Sequence, residues 1–272
     1  MKTILITGAS GGLGKEIAIH FSNSGWNVIA TMICIKEATV FENISNIKCY
    51  ELNVASQESI QKAKAQILSD FQSIDVIINN AGVGYRSFVE LSEDDKIDGI
   101  VKVNYLGVVK VCRAFIPHFR EQNKGQFINI SSIAGLVNLP LGSFYHSTKK
   151  ALESFSECMA YELLDFNISV CTVQFGNAPT NFQKNISKCE NSTIESYNTM
   201  MNSIDGIMNR KTTENHELTQ AILDKLLKIS ENPSKKFRRY SIGFDAHLMK
   251  YLRKILGYRI FSRVIRRYVL SK

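Results

Sequence analysis

Tyr145 and Lys149 stand four residues apart in Phe144-Tyr145-His146-Ser147-Thr148-Lys149, the start of what reads as a long helix. At that spacing their side chains share one helix face. A phenol titrates at about 10 when unperturbed, and a fixed ammonium beside it favours the phenolate and lowers that value. Upstream, Phe127-Ile128-Asn129-Ile130-Ser131-Ser132 reads as a buried strand ending in two hydroxyls. If that strand end and the helix start share a cleft, Ser132, Tyr145 and Lys149 can move a proton on or off a carbonyl oxygen. The Tyr-x-x-x-Lys spacing alone fits many surface helices, so the elements around it carry the decision.

Those elements alternate. Lys2–Thr7 is an apolar strand that runs into Gly8-Ala9-Ser10-Gly11-Gly12-Leu13-Gly14 and then a helical pattern from Lys15 to Phe21. Strand, glycine turn and helix in that order suit a dinucleotide. The glycines let backbone approach closely, and the helix N-terminus offers free N–H groups to a pyrophosphate. Further strands are read at Trp26–Thr31, Ile47–Leu52, Ile74–Ile78, Phe127–Ser132, Ile168–Val173 and Phe237–Ser241. Helices are read at about Ser56–Phe71, with Ser56 as N-cap, across Ile97–Val111, from Tyr145 to Leu164, and at Thr213–Ile229. The pattern predicts an α/β fold with a doubly wound parallel sheet, whose ligands bind outside the carboxyl ends of the strands. Gly8, Asn79, Ser132 and Gly176 fall at four such ends. Asn104, amid apolar residues, must find polar partners. Residues 181–212 are polar without a strong period and read as a mobile insertion over a cleft.

The end of the second strand would carry an acid for the ribose 2′-hydroxyl of NAD or an Arg for the 2′-phosphate of NADP. Here Thr31-Met32-Ile33-Cys34-Ile35-Lys36 has no carboxylate before Glu37. That favours NADP(H) over NAD(H), with Lys36 and Lys15 as candidate phosphate partners.

Composition bounds the rest. The 272 residues, 44% hydrophobic and 21% charged, suit a soluble globular chain. The net charge of +8 is uneven: Lys235 to Lys272 holds 12 Lys/Arg and one acid, Asp245, leaving the remainder at −3. The six cysteines form no Cys-x-x-Cys and have no His at metal-ligand spacing, so no metal site is expected. They read as reduced, buried small hydrophobes, which suits the cytoplasm. With a strand from Lys2 and no apolar run near ~18 residues, neither a signal peptide nor a spanning helix is expected.

Taken together, Thr7 to Gly14, Asn79-Asn80-Ala81-Gly82, Asn104, Ser132 and Tyr145-x-x-x-Lys149 resemble the short-chain dehydrogenase/reductase family, over a stretch ending near Thr180. The resemblance implies a single Rossmann-type domain and hydride transfer between a nicotinamide and a carbonyl or alcohol. It implies a catalytic set of Asn104, Ser132, Tyr145 and Lys149. Ser132 would hydrogen-bond the substrate oxygen, Tyr145 would act as general acid or base, and Asn104 would anchor a water that relays protons to Lys149. For the cofactor it implies Gly8, Ser10, Gly12, Leu13, Gly14, Asn53, Val54, Asn80, Ala81 and Gly82. Tyr145 and Lys149, the latter on the ribose, and Thr180, on the carboxamide, complete that set. Three positions depart from the family pattern: Asn53 for an Asp, Phe175 for a Pro and Ile33 for the Arg of many NADP-using relatives.

The substrate is expected to be a small, apolar carbonyl or alcohol. Loops 133–144 and 177–200 would wall its pocket with Leu136, Leu139, Phe144 and Phe182. The domain is expected to span 1–245, with its loop insertion near 177–212. Residues 246–272 form a basic amphipathic helical tail, broken at Gly257. Its apolar positions, Leu248 to Tyr268, suit either an anionic membrane or a cover over the pocket or a subunit contact. A homo-oligomer, dimer or tetramer, is expected, and no motif supports nucleic acid. The alternative to an enzyme is a catalytically silent dinucleotide-binding regulator of the same fold.

Overall fold

Apolar runs buried on both faces form the centre of the computed structural model, which describes residues 1–176, 186–188, 193–210 and 216–270. The strands are Thr3–Thr7 (β1), Asn27–Met32 (β2), Ile47–Glu51 (β3), Val76–Asn79 (β4), Tyr85–Arg86 (β5), Gly125–Ile130 (β6), Ile168–Phe175 (β7), Ser187–Lys188 (β8) and Arg238–Ile242 (β9). The α-helices are Gly12–Asn23 (α1), Gln57–Asp70 (α2), Asp94–Val101 (α3), Val108–Gln122 (α4), Ser143–Glu162 (α5), Glu195–Arg210 (α6), His216–Glu231 (α7) and Phe244–Leu270 (α8).

Seven strands pair in parallel in the order β3-β2-β1-β4-β6-β7-β9, the doubly wound sheet that the alternation of elements predicts. The order reverses between β1 and β4, which opens a crevice at their carboxyl ends. Side chains alternate across the sheet. Ile4, Ile6, Val28 and Ala30 pack with Ile17 and Phe21 of α1 and with Ile222 and Leu226 of α7. Leu5, Ile29, Ile77 and Phe127 pack on the opposite side with Ile60 of α2, Phe115 of α4 and Leu152 of α5. Each face is therefore dry, which explains why the strands read as unbroken apolar runs.

Local chemistry sets the ends. Ser56 caps α2 by accepting from the Ser59 N–H at 3.2 Å, as its position predicts. Asn123 closes α4 in the left-handed region, at φ 52°.

The helix read through Ile97–Val111 is present, with a π-helical stretch over Lys102–Gly107 that carries Asn104 and divides it into α3 and α4. Two sequence expectations need correction. The expected loose insertion contains a 16-residue helix, α6, whose Met201 and Ile204 are buried against Phe88 and Leu141. Its apolar residues were too few to stand out from the polar background. Of the cysteines, Cys112 and Cys171 are buried as expected, but Cys34 and Cys158 are exposed; Cys189 lies outside the described residues.

The tail forms α8, kinked where Gly257 adopts φ 61°, ψ −176°. Ala246 and Phe261 are buried, and Ile265 packs beside Leu139 and Tyr197. The expected apolar stripe is thus divided: Leu248, Ile255 and Val264 face outward. The side chain of Tyr268 lies outside those described. No helix among the described residues is long and apolar enough to cross a membrane.

Candidate active site

At the crevice, β1 ends in Thr7, whose hydroxyl accepts from the N–H groups of Asn80 and Ala81, both at 3.0 Å. The Asn80 side chain donates back to the carbonyls of Thr7 at 2.9 Å and Gly8 at 3.1 Å. The glycine turn is thereby stapled to the end of β4. Gly8 sits at φ 66°, a backbone conformation that favours glycine, and a Cβ there would stand 2.9 Å from the Ala81 Cα. The N-cap of α1 is Gly11, with no side-chain cap, and the first turn carries no acid. Its N–H groups are left to an anion, as a helix N-terminus permits.

A cavity of about 620 Å³ runs from this turn to Tyr145. Gly8, Ser10, Gly12, Leu13 and Gly14 line one end, with Asn53 and Val54 beyond them and Asn80, Ala81 and Gly82 along the floor. Every described residue of the expected cofactor set therefore meets in one cleft. Thr180 and Phe182 lie outside the described residues. Asn53 uses its Oδ1 to accept from the Ala55 N–H at 3.0 Å. Glu37, the first carboxylate after β2, lines the cavity from the 3₁₀ turn Ile35–Phe41. Lys36 and Lys15 do not line the cavity.

The chemistry-bearing end is built by β6, α5 and the loop between them. Ser132 follows β6; its hydroxyl accepts from the Ala134 N–H at 3.2 Å and donates to the Phe175 carbonyl at 3.4 Å. Tyr145 and Lys149 occupy the first two turns of α5 and line the same cleft as Ser132. The Lys149 ammonium lies 5.8 Å from the Tyr145 ring centre and donates to the Ile130 carbonyl at 2.8 Å. Burial pushes the Tyr145 phenol up to about 12, opposed by its hydrogen bond with Ser132 and by the charge of Arg86. Without the dinucleotide, the low-dielectric setting thus outweighs the groups that lower the phenol. Burial brings Lys149 down to about 8, against the nearby Glu153 carboxylate, which favours its charged form.

Asn104 does not line the cavity. Its Oδ1 accepts from the Val83 N–H and its Nδ2 donates to the Val83 carbonyl, both at 2.8 Å. It fixes the Gly82–Val83 loop from behind, and the π turn is what aims it there. Asn79 likewise turns away from the cleft, donating to Asn129 Oδ1 at 2.8 Å beneath the sheet end. Leu139 lines the cavity with Val137 and Pro140, whereas Leu136 and Phe144 do not; Phe144 stacks on Tyr85 instead.

Three contributors went unread in the sequence. Glu153 is buried and accepts from Thr172 at 2.9 Å, Gln174 at 2.8 Å and Arg239 at 3.0 Å. Its spacing of four from Lys149 was a signal, but its partners arrive from β7 and β9. His146 Nδ1 contacts the Val137 carbonyl at 2.6 Å and ties the cavity loop to α5; burial favours its neutral form. Arg86 reaches the cavity from β5, a strand too short to announce itself.

A glycine cradle, an uncapped helix N-terminus and a Ser-Tyr-Lys cluster thus meet in one cleft at the carboxyl ends of a doubly wound sheet. The sequence matches the short chain dehydrogenase family model over residues 2–191. The chain belongs to the short-chain dehydrogenase/reductase family. A 3-ketodihydrosphingosine reductase of Bacteroides thetaiotaomicron is 38% identical over 182 residues, covering 67% of this chain and 66% of the relative. An NADP-dependent 3-hydroxy acid dehydrogenase of Schizosaccharomyces pombe is 35% identical over 195 residues, covering 66% and 73%. The match thus spans just under two thirds of the first of these relatives. Among solved structures, a short-chain dehydrogenase from Streptomyces avermitilis superposes with a TM-score of 0.82 at 24% identity, covering 99% of this chain and 97% of that one.

Proposed function

We propose that this protein interconverts an apolar carbonyl compound and its alcohol with a nicotinamide dinucleotide, using Tyr145 as the proton donor and acceptor. The observation that carries this is the placement of Ser132, Tyr145 and Lys149 together at the end of a cleft whose other end is the glycine turn. The pyrophosphate would lie on Gly8, Ser10, Gly12, Leu13 and Gly14 at the α1 N-terminus. The adenine would lie toward Asn53 and Val54, and the ribose on Tyr145 and Lys149. When bound, the dinucleotide supplies or takes the hydride. The remaining work is done by side chains. In reduction, negative charge grows on the carbonyl oxygen, Ser132 donates a hydrogen bond to it, and Tyr145 gives up its proton. A phenol held near 12 by burial is protonated at neutral pH, which suits a donor. The charge on Lys149 stabilises the phenolate that this leaves. Val137, Leu139 and Ile204 in the cavity wall favour an apolar substrate.

A pH dependence follows. Lys149 carries its charge below about 8 and loses it above. Reductive turnover is expected to hold near neutrality and fall as pH rises through that value. Glu153→Gln removes the carboxylate that favours the ammonium, so the fall should move to lower pH. A pH–rate profile of both proteins tests this; coincident profiles would remove Glu153 from the assignment.

For the cofactor we favour NADP(H), because no acid stands at the end of β2. The name of the Schizosaccharomyces pombe relative agrees. Glu37 in the cavity wall supports the second reading, NAD(H), since a carboxylate there would repel a 2′-phosphate. Calorimetric titration with NADPH and NADH decides between them. If NADPH is preferred in spite of Glu37, Glu37→Gln should tighten NADPH roughly threefold to tenfold and leave NADH little changed, the effect of one exposed charge on another. Tighter NADH binding by the native protein would reverse the preference.

A further inference from the structure

Helix α8 carries seven lysines and arginines against one acid, Asp245. Its inner side is anchored: Ala246 and Phe261 are buried, and Arg253 lies over the Phe261 ring at 5.4 Å. Its outer side is apolar in a way that the fold does not use. Phe244, Leu248, Tyr251 and Ile255 recur at intervals of four, three and four, so they form one stripe along the first arm. All four are exposed, Phe244 at 77% and Ile255 at 76%. Beyond the Gly257 kink the second arm repeats the device with Ile260 and Val264, again exposed and four apart. Lys250, Lys254, Arg259, Arg263, Arg266 and Arg267 are exposed beside these stripes.

Charge selects the partner. A second copy meeting this face stripe to stripe would bring two cationic helices together, a repulsive arrangement. A nucleic acid would use the cations and has a stacking surface in Phe244 and Tyr251, but gains nothing from the exposed Leu248, Ile255, Ile260 and Val264 between them. An anionic bilayer answers both features, because the headgroups meet the basic rim and the stripe enters the acyl boundary.

We propose that α8 is a peripheral docking helix for anionic lipid surfaces, with Phe244, Leu248, Tyr251 and Ile255 as its inserted stripe and Lys250, Lys254, Arg259, Arg263, Arg266 and Arg267 on the headgroups. The docked helix also walls the cavity side of the molecule, since Ile265 packs into the cluster that holds Leu139 and Ile204.

The test is flotation of the full chain with phosphatidylglycerol vesicles and, separately, phosphatidylcholine vesicles. The native protein should float with the anionic vesicles only, and less at high salt, where exposed charges are screened. Phe244→Ser with Ile255→Ser should reduce the floated fraction by about tenfold or more, since the stripe supplies the insertion. The thermal unfolding midpoint should stay unchanged, because neither side chain supports the core. Absence of flotation, equal flotation with both lipids, or an undiminished double variant would each overturn the proposal. So would a native dimer in sedimentation that the double variant dissolves, which would show that a second copy covers the stripe. Nucleic acid retention by both proteins without flotation would likewise overturn it.

Discussion

Tyr145→Phe should still bind the dinucleotide, through the glycine turn and Lys149, and lose turnover by roughly 10²–10⁴-fold, the span that a positioned proton donor contributes. The substitution removes one hydroxyl from a half-buried ring and adds nothing, so the cavity keeps its shape. What is lost is the proton that must reach the carbonyl oxygen, and the hydrogen bond to Ser132 that fixes the hydroxyl. The loss should appear in kcat more than in KM, since the hydroxyl acts where charge develops. Steady-state kinetics beside a calorimetric titration is the measurement. Unchanged turnover would refute the proton-transfer assignment. Retained binding with no turnover in the native protein, against a broad carbonyl screen, would favour a silent dinucleotide-binding regulator.

Two neighbouring glycines should respond in opposite ways, and the contrast tests the cradle. A Cβ on Gly14 would be driven against the Gly8 carbonyl oxygen and would stand 2.6 Å from the Asn80 side-chain nitrogen. Neither can retreat, because Asn80 Nδ2 is itself bonded to the carbonyls of Thr7 and Gly8. Gly14→Ala should cost about 3 kcal/mol, the upper range for overpacking, and lower the melting midpoint by roughly 6–12 °C. Dinucleotide affinity should fall with it, since the turn would no longer close on the β4 end. At Gly11 a Cβ meets nothing within 4 Å, and the φ of −160° is extended backbone open to any residue. Gly11→Ala should therefore leave stability within about 0.5 kcal/mol. Because Gly11 lines the cavity, its methyl should weaken dinucleotide binding while the fold is intact. Differential scanning calorimetry and cofactor titration of both variants separate the two roles.

The Phe175 carbonyl accepts from the Ser132 hydroxyl at 3.4 Å, a backbone acceptor that any residue at this position would supply. Asn53 for Asp keeps an acceptor, and that acceptor is turned to the Ala55 N–H, closing the loop after β3.

Much of this molecule was written in short-range pattern. Unbroken apolar runs specify strands buried on two faces, and their alternation with helices leaves few topologies. The glycine turn after β1 and the four-residue step from Tyr145 to Lys149 are local, so spacing alone placed both ends of the cleft. Long-range geometry decided the rest. That Asn104 braces Val83 is a contact across 21 residues, made from a π turn that apolar spacing does not announce. Glu153 gains its meaning from Thr172, Gln174 and Arg239, which come from two other strands. Glu37 enters the cavity only because a 3₁₀ turn folds back. The Tyr145 phenol is raised by burial, a quantity that belongs to the assembled core and to no stretch of the chain. The tail showed its charge and its apolar spacing in sequence, but only the packed fold separated Ala246 and Phe261, turned inward, from Phe244 and Ile255, left facing solvent. Period and composition can be read residue by residue, whereas burial and the partners of a buried polar group exist only once distant elements meet.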